Sequence, residues 1–296
     1  MADENGSNQF VITSAGSLAF EAIDYPKLGR VAALFERSFY IEIDGHWICF
    51  GGSSLYLGPL NLQTNAPAKI NWQASGLQLD DPVRISATEI HIGNRFSFSY
   101  RDAQPWHPDP IRNLDKTAIN AGLTSLTEQA FNIVPREGLA SFIFPEGSVT
   151  AVLPNAASAI TGIKKLIGDG HSSPENILNP VTTLIGLGPG LTPSGDDFLG
   201  GMMITLKTLG EDETCRVLAD AIERAAATTN EISRAHLYAA AQGIGAEPLH
   251  ATIDDIISNR EQALKSSLAR LDSIGHSSGW DALTGVVITL QAWLSK

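Results

Sequence analysis

One stretch constrains the fold of this chain more than any other: residues 186–201, Gly-Leu-Gly-Pro-Gly-Leu-Thr-Pro-Ser-Gly-Asp-Asp-Phe-Leu-Gly-Gly. Its first half holds three glycines and two prolines in eight residues, so neither a regular helix nor a central strand can form there. Its second half predicts a helix start, with Ser194 as the cap and Asp197 completing a Ser-x-x-Asp capping box. A glycine-rich turn that leads into a helix N-terminus presents backbone amides and a partial positive charge, which together favour binding of an anion.

A second copy of this helix start occurs 84 residues later. Residues 194–206 align without gaps with residues 278–290, and eight of the thirteen positions are identical. The repeat predicts two equivalent helices, each with a glycine (Gly201 and Gly285) where another backbone can pack closely. We hypothesise that the two helix N-termini face one small cavity and hold an anionic substrate. The alternative is that the pair repeats for packing alone, with Asp197 and Asp281 as capping carboxylates.

The composition narrows the classes of function. The chain carries 20 basic and 32 acidic residues, a formal net charge of −12, which argues against a nucleic-acid-binding surface. No apolar run approaches the roughly 18–20 residues of a membrane span, and the acidic start does not resemble a signal peptide. Cys49 and Cys215 form no Cys-x-x-Cys pair and are interpreted as reduced core residues. We therefore predict a cytoplasmic protein without a membrane or nucleic-acid partner.

The pattern of the chain predicts an α+β fold with two domains. Residues 1–104 read as strands, with hairpins at Asp44-Gly45 and Gly93-Asn94, and indicate a small antiparallel barrel or sandwich. Prolines at positions 105, 108 and 110 mark the boundary. Residues 105–296 show helical periodicity throughout and predict an all-helical domain that carries the glycine-rich turn and both Ser-Gly-x-Asp motifs.

Three residues are candidates for catalysis. Arg234 could clamp a carboxylate or phosphate with its guanidinium, although a surface ion pair with Glu231 is the competing interpretation. His276 directly precedes the second Ser-Gly-x-Asp turn, where a helix N-terminus favours the neutral imidazole; a structural loop histidine is the alternative. Asp196 would repel an anion unless it binds a cation or manages a proton. The predicted anion-binding residues are those of the two turns: Gly188, Gly190, Thr192, Ser194, Gly195, Ser277, Ser278 and Gly279.

Several common sites are absent from the sequence. There is no Gly-x-x-x-x-Gly-Lys-Ser/Thr loop, and Gly186-x-Gly188 lacks the strand-to-helix spacing of a dinucleotide site. No His-Glu-x-x-His or Cys/His cluster indicates a transition metal. We predict no metal and no cofactor, with a divalent cation at Asp196 left open.

Three segments together resemble one known family. Residues 186–201, Ile-Ser-Arg-Ala-His-Leu at 232–237 and Gly-His-Ser-Ser-Gly-Trp-Asp at 275–281 are similar to the AllH family, a bacterial family once labelled as carboxylases. The resemblance covers roughly residues 114–294, and the first segment is long enough to be specific. The strand-rich N-terminal part resembles the family only in layout.

This resemblance implies a subunit of oxamate carbamoyltransferase that assembles with AllF- and AllG-type subunits in the breakdown of allantoin and other purines. That enzyme cleaves oxalurate with phosphate and gives oxamate and carbamoyl phosphate. The chain lacks the Ser-Thr-Arg-Thr-Arg loop of the aspartate and ornithine carbamoyltransferases, so their mechanism does not transfer to it. Two alternatives stay open: a non-catalytic partner subunit that binds a small anion, and a carboxylase or amidohydrolase acting on another small acid.

Overall fold

The structure is a computed structural model that describes residues 8–23, 26–144, 155–170 and 173–296. The chain divides into two compact units, Met1–Pro108 and Asp109–Lys296. The prolines predict a boundary after residue 104. Gln104–Trp106 forms a strand that pairs with the first strand of the chain, so strand pairing continues just past that position.

The N-terminal unit is a barrel. Its sheet has the order β5-β4-β3-β2-β6-β7-β8-β1-β9, and a further pairing of β5 with β1 closes eight of the strands into a ring. The strands are β1 (Asn8–Gly16), β2 (Lys27–Leu34), β3 (Ser38–Ile43), β4 (His46–Gly51), β5 (Asn61–Thr64), β6 (Pro82–Ile85), β7 (Glu89–Ile92), β8 (Phe96–Ser99) and β9 (Gln104–Trp106), with a short helix α1 (Ser17–Ala22) after β1.

The predicted barrel is confirmed, but its sheet is mixed rather than wholly antiparallel. β1 runs parallel to β8 and to β9, and β4 runs parallel to β5. These pairs join strands through long connections, whereas the local hairpins are antiparallel as predicted. In the first hairpin, Asp44 and Gly45 have φ values of 50° and 80°, the left-handed backbone that a two-residue turn requires. Inside the barrel, Phe39 stacks on Phe50 with ring centroids 4.9 Å apart.

The second unit is helical over its described residues, as the periodicity predicts. Its α-helices are α2 (Lys116–Ala130), α3 (Asn155–Gly168), α4 (Pro174–Leu184), α5 (Ser194–Thr208), α6 (Asp212–Ala225), α7 (Glu231–Ala241), α8 (Glu247–Ile257), α9 (Glu261–Leu271) and α10 (Ser278–Leu294). Short 3-10 turns lie at Ala140–Ile143 and Ala226–Thr228. No helix in the part of the chain that the structure describes is both long and apolar enough to cross a membrane.

The capping box predicted at the start of α5 is wrong. The N-cap of α5 is Pro193, and no side chain caps this helix. Because the cap falls one residue early, Ser194 lies inside the first turn, where its hydroxyl is free to reach another helix. At α7, by contrast, a side chain does cap the helix: Asn230 accepts a hydrogen bond from the Ser233 amide.

Helices α5 and α10 cross at two glycines, as the repeat predicts. A methyl group added to Gly201 would lie 1.9 Å from the carbonyl oxygen of Ala282, and one added to Gly285 would lie 2.0 Å from that of Phe198. Only glycine permits backbones to approach so closely. Both helices are buried along most of their length, so this crossing lies in the core of the helical unit and holds the two N-termini together.

Candidate functional site

The two glycine-rich turns meet where α5 and α10 begin, and this meeting point is called the junction below. The hydroxyl oxygens of Thr192 and Ser278 lie 3.0 Å apart and share a hydrogen bond. The Ser194 hydroxyl, on the other helix, donates to Asp281. The structure therefore brings together two turns that are 84 residues apart in the sequence.

Two backbone amides lie at the junction, one at the start of each helix. The backbone amides of Ser194 and Ser278 have no hydrogen-bond partner among the described residues. These amides belong to the first turns of two helices, where the helix dipoles add partial positive charge. Next to the first turn, Gly188 and Gly190 adopt φ values of 111° and 104°, and the space around Gly190 is open. The junction thus offers amide and hydroxyl donors from both helices.

Asp196 is buried and fully engaged within the protein. Its Oδ1 accepts a hydrogen bond of 2.6 Å from the amide of Gly186. Its Oδ2 accepts one of 2.6 Å from the Ser233 hydroxyl and another from the Thr229 hydroxyl. This carboxylate therefore ties the glycine-rich turn to the start of α7 and fixes the position of the turn.

Asp281, at the equivalent place on α10, is also well supplied with donors. The amide of Leu139 donates to its Oδ1 at 2.5 Å, and the Ser277 hydroxyl donates to its Oδ2 at 2.8 Å. Burial raises the pKa of Asp281, and these hydrogen bonds oppose the rise. Gly138 has φ of 72°, and a methyl group there would lie 2.3 Å from Oδ1. No sequence pattern indicates this contact, because Leu139 and Asp281 are 142 residues apart.

Asp197 differs from both neighbours. Its Oδ2 atom is buried and has no hydrogen-bond partner among the described residues. Burial raises the pKa of Asp197 well above its ordinary value; the hydroxyls of Ser278 and Thr192 lower it, and the charges of Asp281 and Asp196 raise it further. Asp197 is therefore not the capping carboxylate that the sequence predicts, since no side chain caps α5; its surroundings favour the protonated form of the carboxyl group.

Arg234 and His276 lie at the surface. The Arg234 side chain is 39% exposed; its Nη1 lies 3.1 Å from Glu231 and its Nη2 3.7 Å from Glu223. The His276 side chain is 83% exposed, and its Nδ1 lies 3.1 Å from Glu137. Each follows directly in the sequence, or directly precedes, a serine of the junction: Ser233 donates to Asp196 and Ser277 donates to Asp281. Arg234 and His276 themselves are paired with acidic side chains at the surface.

The remaining predicted residues divide into two groups. Gly195 and Gly279 are packing positions, because a methyl group would lie 1.8 Å from the carbonyl oxygen of Leu184 or 2.3 Å from that of Leu271. Gly188, Gly190, Thr192, Ser194, Ser277 and Ser278 belong to the junction or its edge. Among the residues described, no group of three or more His, Cys, Asp or Glu side chains is arranged to hold a metal ion.

A separate groove of about 520 Å³ lies between α3 and α4. It is lined by Ser158, Lys165, Asn176, Asn179 and Thr183 among others, and it contains none of the predicted site residues. Because the groove contains neither of the repeated helix starts, we regard the junction as the stronger candidate.

Comparison with known families matches both units of the chain. A family model described as oxamate carbamoyltransferase subunit AllH matches residues 184–290. A second model, the AllH family N-terminal domain, matches residues 12–105. The first match spans α5, α7 and α10, and the second spans most of the barrel. No solved structure matches the chain.

Proposed function

Because the chain belongs to the AllH family, we propose that its junction binds the small anionic substrates of an oxamate carbamoyltransferase. The family description names a subunit, which implies a hetero-complex; the AllF- and AllG-type partners and a cytoplasmic location are parts of the proposal. The reaction is carbamoyl transfer between oxalurate and phosphate, which yields oxamate and carbamoyl phosphate in purine degradation. All four compounds are small anions.

The observation that carries the proposal is the contact between the two turns. Thr192 and Ser278 come from different helix starts and share a hydrogen bond of 3.0 Å, next to two amides without acceptors among the residues described. Two helix N-termini and two hydroxyls that lie close together suit a phosphate or carboxylate. Since the chain as a whole is acidic, this local arrangement supplies the attraction for an anion.

The chemistry of carbamoyl transfer fits such a site. An oxygen of phosphate attacks the carbamoyl carbon of oxalurate, and the bond between that carbon and the amide nitrogen breaks. The reaction needs aligned partners and donors directed at the oxygen that gains negative charge, rather than a protein nucleophile. The Ser194 and Ser278 amides are such donors.

The three residues proposed for catalysis receive different roles. Asp196 is a positioning residue, because its three hydrogen-bond donors hold the turn against α7. Arg234 and His276 lie at the surface and would contact a ligand only after leaving their acidic partners. We therefore expect Ser278 and Thr192 to matter more for anion binding than Arg234 or His276.

The test uses the chain reconstituted with its partner subunits. Oxalurate cleavage is measured with and without phosphate, and oxamate and carbamoyl phosphate are quantified. We expect the double variant Thr192→Ala, Ser278→Ala to lose at least about 100-fold in kcat/KM, since each lost hydrogen bond to a charged ligand costs about 1.5–3 kcal/mol.

The control is Thr124→Ala. Thr124 lies on the surface of α2, and its hydroxyl bonds only to the carbonyl of Asn120 in its own helix. Equal activity of the double variant and this control would contradict the proposal. Phosphate binding without any effect of the double variant on turnover would favour a non-catalytic anion-binding subunit. Cleavage that does not require phosphate would favour an amidohydrolase.

A further inference from the structure

Three buried or partly buried carboxyl groups surround the junction, and hydrogen bonds account for two of them. Asp196 accepts from Gly186, Ser233 and Thr229. Asp281 likewise accepts from the protein at both oxygens. In the third, Asp197, the buried Oδ2 has no partner in the described part of the chain.

An ionised carboxylate with a buried, unpaired oxygen is unfavourable. A protonated carboxyl group avoids that cost and becomes a hydrogen-bond donor. Burial raises the pKa of Asp197, and the charged groups that face it add to the rise: Asp281 from α10 and Asp196 from its own helix. The hydroxyls of Thr192 and Ser278 adjoin the carboxyl group, so Asp197 lies where the junction's donors converge.

We propose that the carboxyl group of Asp197, through its buried and unpaired Oδ2, is the proton donor of the junction. It donates a hydrogen bond to the bound anion and gives its proton to the nitrogen that leaves during carbamoyl transfer. This inference rests on the proposed function and adds a catalytic residue to it. It also explains how an anion binds among carboxyl groups: the carboxyl group with an unpaired oxygen, when protonated, donates to an acceptor, which phosphate or a substrate carboxylate provides.

The proton balance of the step is closed. As the phosphate oxygen bonds to the carbamoyl carbon, the carbon–nitrogen bond of oxalurate breaks and its electron pair moves to nitrogen. Asp197 protonates that nitrogen, which completes the amide of oxamate. The proton carried by hydrogen phosphate passes to the Asp197 carboxylate and restores it. No other reactant is needed.

The test compares Asp197→Asn and Asp197→Ala in the reconstituted complex. Asparagine retains a donor but has no proton to transfer, so we expect kcat to fall at least about 100-fold. Phosphate binding by the full chain, measured by calorimetry, should change by less than about tenfold with asparagine and fall by about 10–100-fold with alanine. Asp220→Asn is the matched control, because Asp220 is an exposed partner of Arg216 on α6.

Stability against pH gives a readout that does not depend on activity. The folded pKa of Asp197 lies above the unfolded value, so folding favours its protonated form. The stability of the wild-type chain should therefore decline relative to that of Asp197→Asn as pH rises from about 4 toward the folded pKa. Melting temperatures across this range, with Asp220→Asn beside them, report the difference.

The outcomes separate the two proposals. If the wild-type complex turns over oxalurate and Asp197→Asn is as active as Asp220→Asn, the role of Asp197 is wrong while the proposed function stands. If the wild-type complex shows no phosphate-dependent turnover, the proposed function fails. Calorimetry of phosphate binding then tests whether Asp197 still binds an anion. Loss of phosphate binding only in Asp197→Ala then supports Asp197 as the anion's hydrogen-bond donor. A wild-type chain that binds neither phosphate nor oxamate overturns both.

Discussion

The starts of α5 and α10 are similar in sequence, and their backbones make equivalent contacts where the two helices cross. Gly201 packs against the carbonyl of Ala282, and Gly285 packs against that of Phe198; the two contacts are equivalent positions of the repeat. The glycine of each helix thus allows a backbone carbonyl of the other helix to approach closely. The crossing has an approximate two-fold relation that follows from the duplicated sequence.

The side chains of the first turns follow the same relation. Ser194 on α5 reaches Asp281 on α10, and Ser278 on α10 adjoins Asp197 on α5. The two aspartates occupy the same position of the repeat, yet Asp281 is supplied with donors at both oxygens and Asp197 keeps one oxygen unpaired. Equivalent residues therefore have unequal environments.

The difference comes from the residues around the repeat. On the α10 side, the turn of Gly138 and Leu139 supplies a backbone amide to the aspartate. On the α5 side, the nearby groups are the hydroxyls of Thr192 and Ser278. The repeated sequence accounts for the paired helices. The turns outside the repeat make Asp281 a structural carboxylate and leave Asp197 as the carboxyl group that we propose as the proton donor.

The largest effect is expected where α5 and α10 cross. Gly201→Ala and Gly285→Ala should each destabilise the chain by about 3 kcal/mol, because a methyl group meets a backbone oxygen that cannot move without shifting its helix. Chemical denaturation measures the free energy of unfolding. Since both changes push the same crossing apart, the double variant should cost less than the sum of the single costs.

The control for this pair is Gly162→Ala in α3. A methyl group at Gly162 meets no atom within 4 Å, so it should stabilise the helix by about 0.5–1 kcal/mol. If Gly201→Ala or Gly285→Ala left the free energy of unfolding unchanged, the two helices would tolerate a wider spacing than the structure shows.

A second prediction contrasts the equivalent aspartates. Asp281→Ala leaves the Leu139 amide and the Ser277 hydroxyl without their acceptor, so the free energy of unfolding should fall by about 2 kcal/mol or more. Asp197→Ala removes a group that already lacks one partner, and we expect a change within about 1 kcal/mol. Equal losses at neutral pH would show that the two environments do not differ as described.

Structural features that depend on residues close together in the sequence, or on the repeat, could be predicted from the sequence. The Asp44-Gly45 hairpin, the helical unit and the close approach at Gly201 and Gly285 follow from local turn chemistry and from the repeat. The resemblance to the AllH family came from long motifs, and both family matches confirm it.

Features that depend on distant partners could not be predicted. The sequence pattern of β1 does not show that it pairs in parallel with β8. Ser194 looks like a helix cap, but Pro193 takes that place and leaves the serine to bind another helix. The donor to Asp281 comes from Leu139, whose own neighbours in sequence carry no recognisable motif.

The smallest effects should come from the surface residues beside the junction. Arg234 is ion-paired with Glu231 and Glu223 at exposed positions, so Arg234→Ala should change the free energy of unfolding by less than about 0.5 kcal/mol. The same holds for His276→Ala, whose partner Glu137 is also exposed.

The effect of these two variants on activity should also be small. If both residues stay paired with their acidic partners when substrate binds, kcat/KM in the complex should stay within about threefold of wild type, equivalent to roughly 0.65 kcal/mol. A loss beyond about tenfold with unchanged stability would mean that Arg234 or His276 leaves its acidic partner and binds the ligand. The anion site would then include Arg234 of α7 or His276 of the turn before α10, in addition to the donors on α5 and α10.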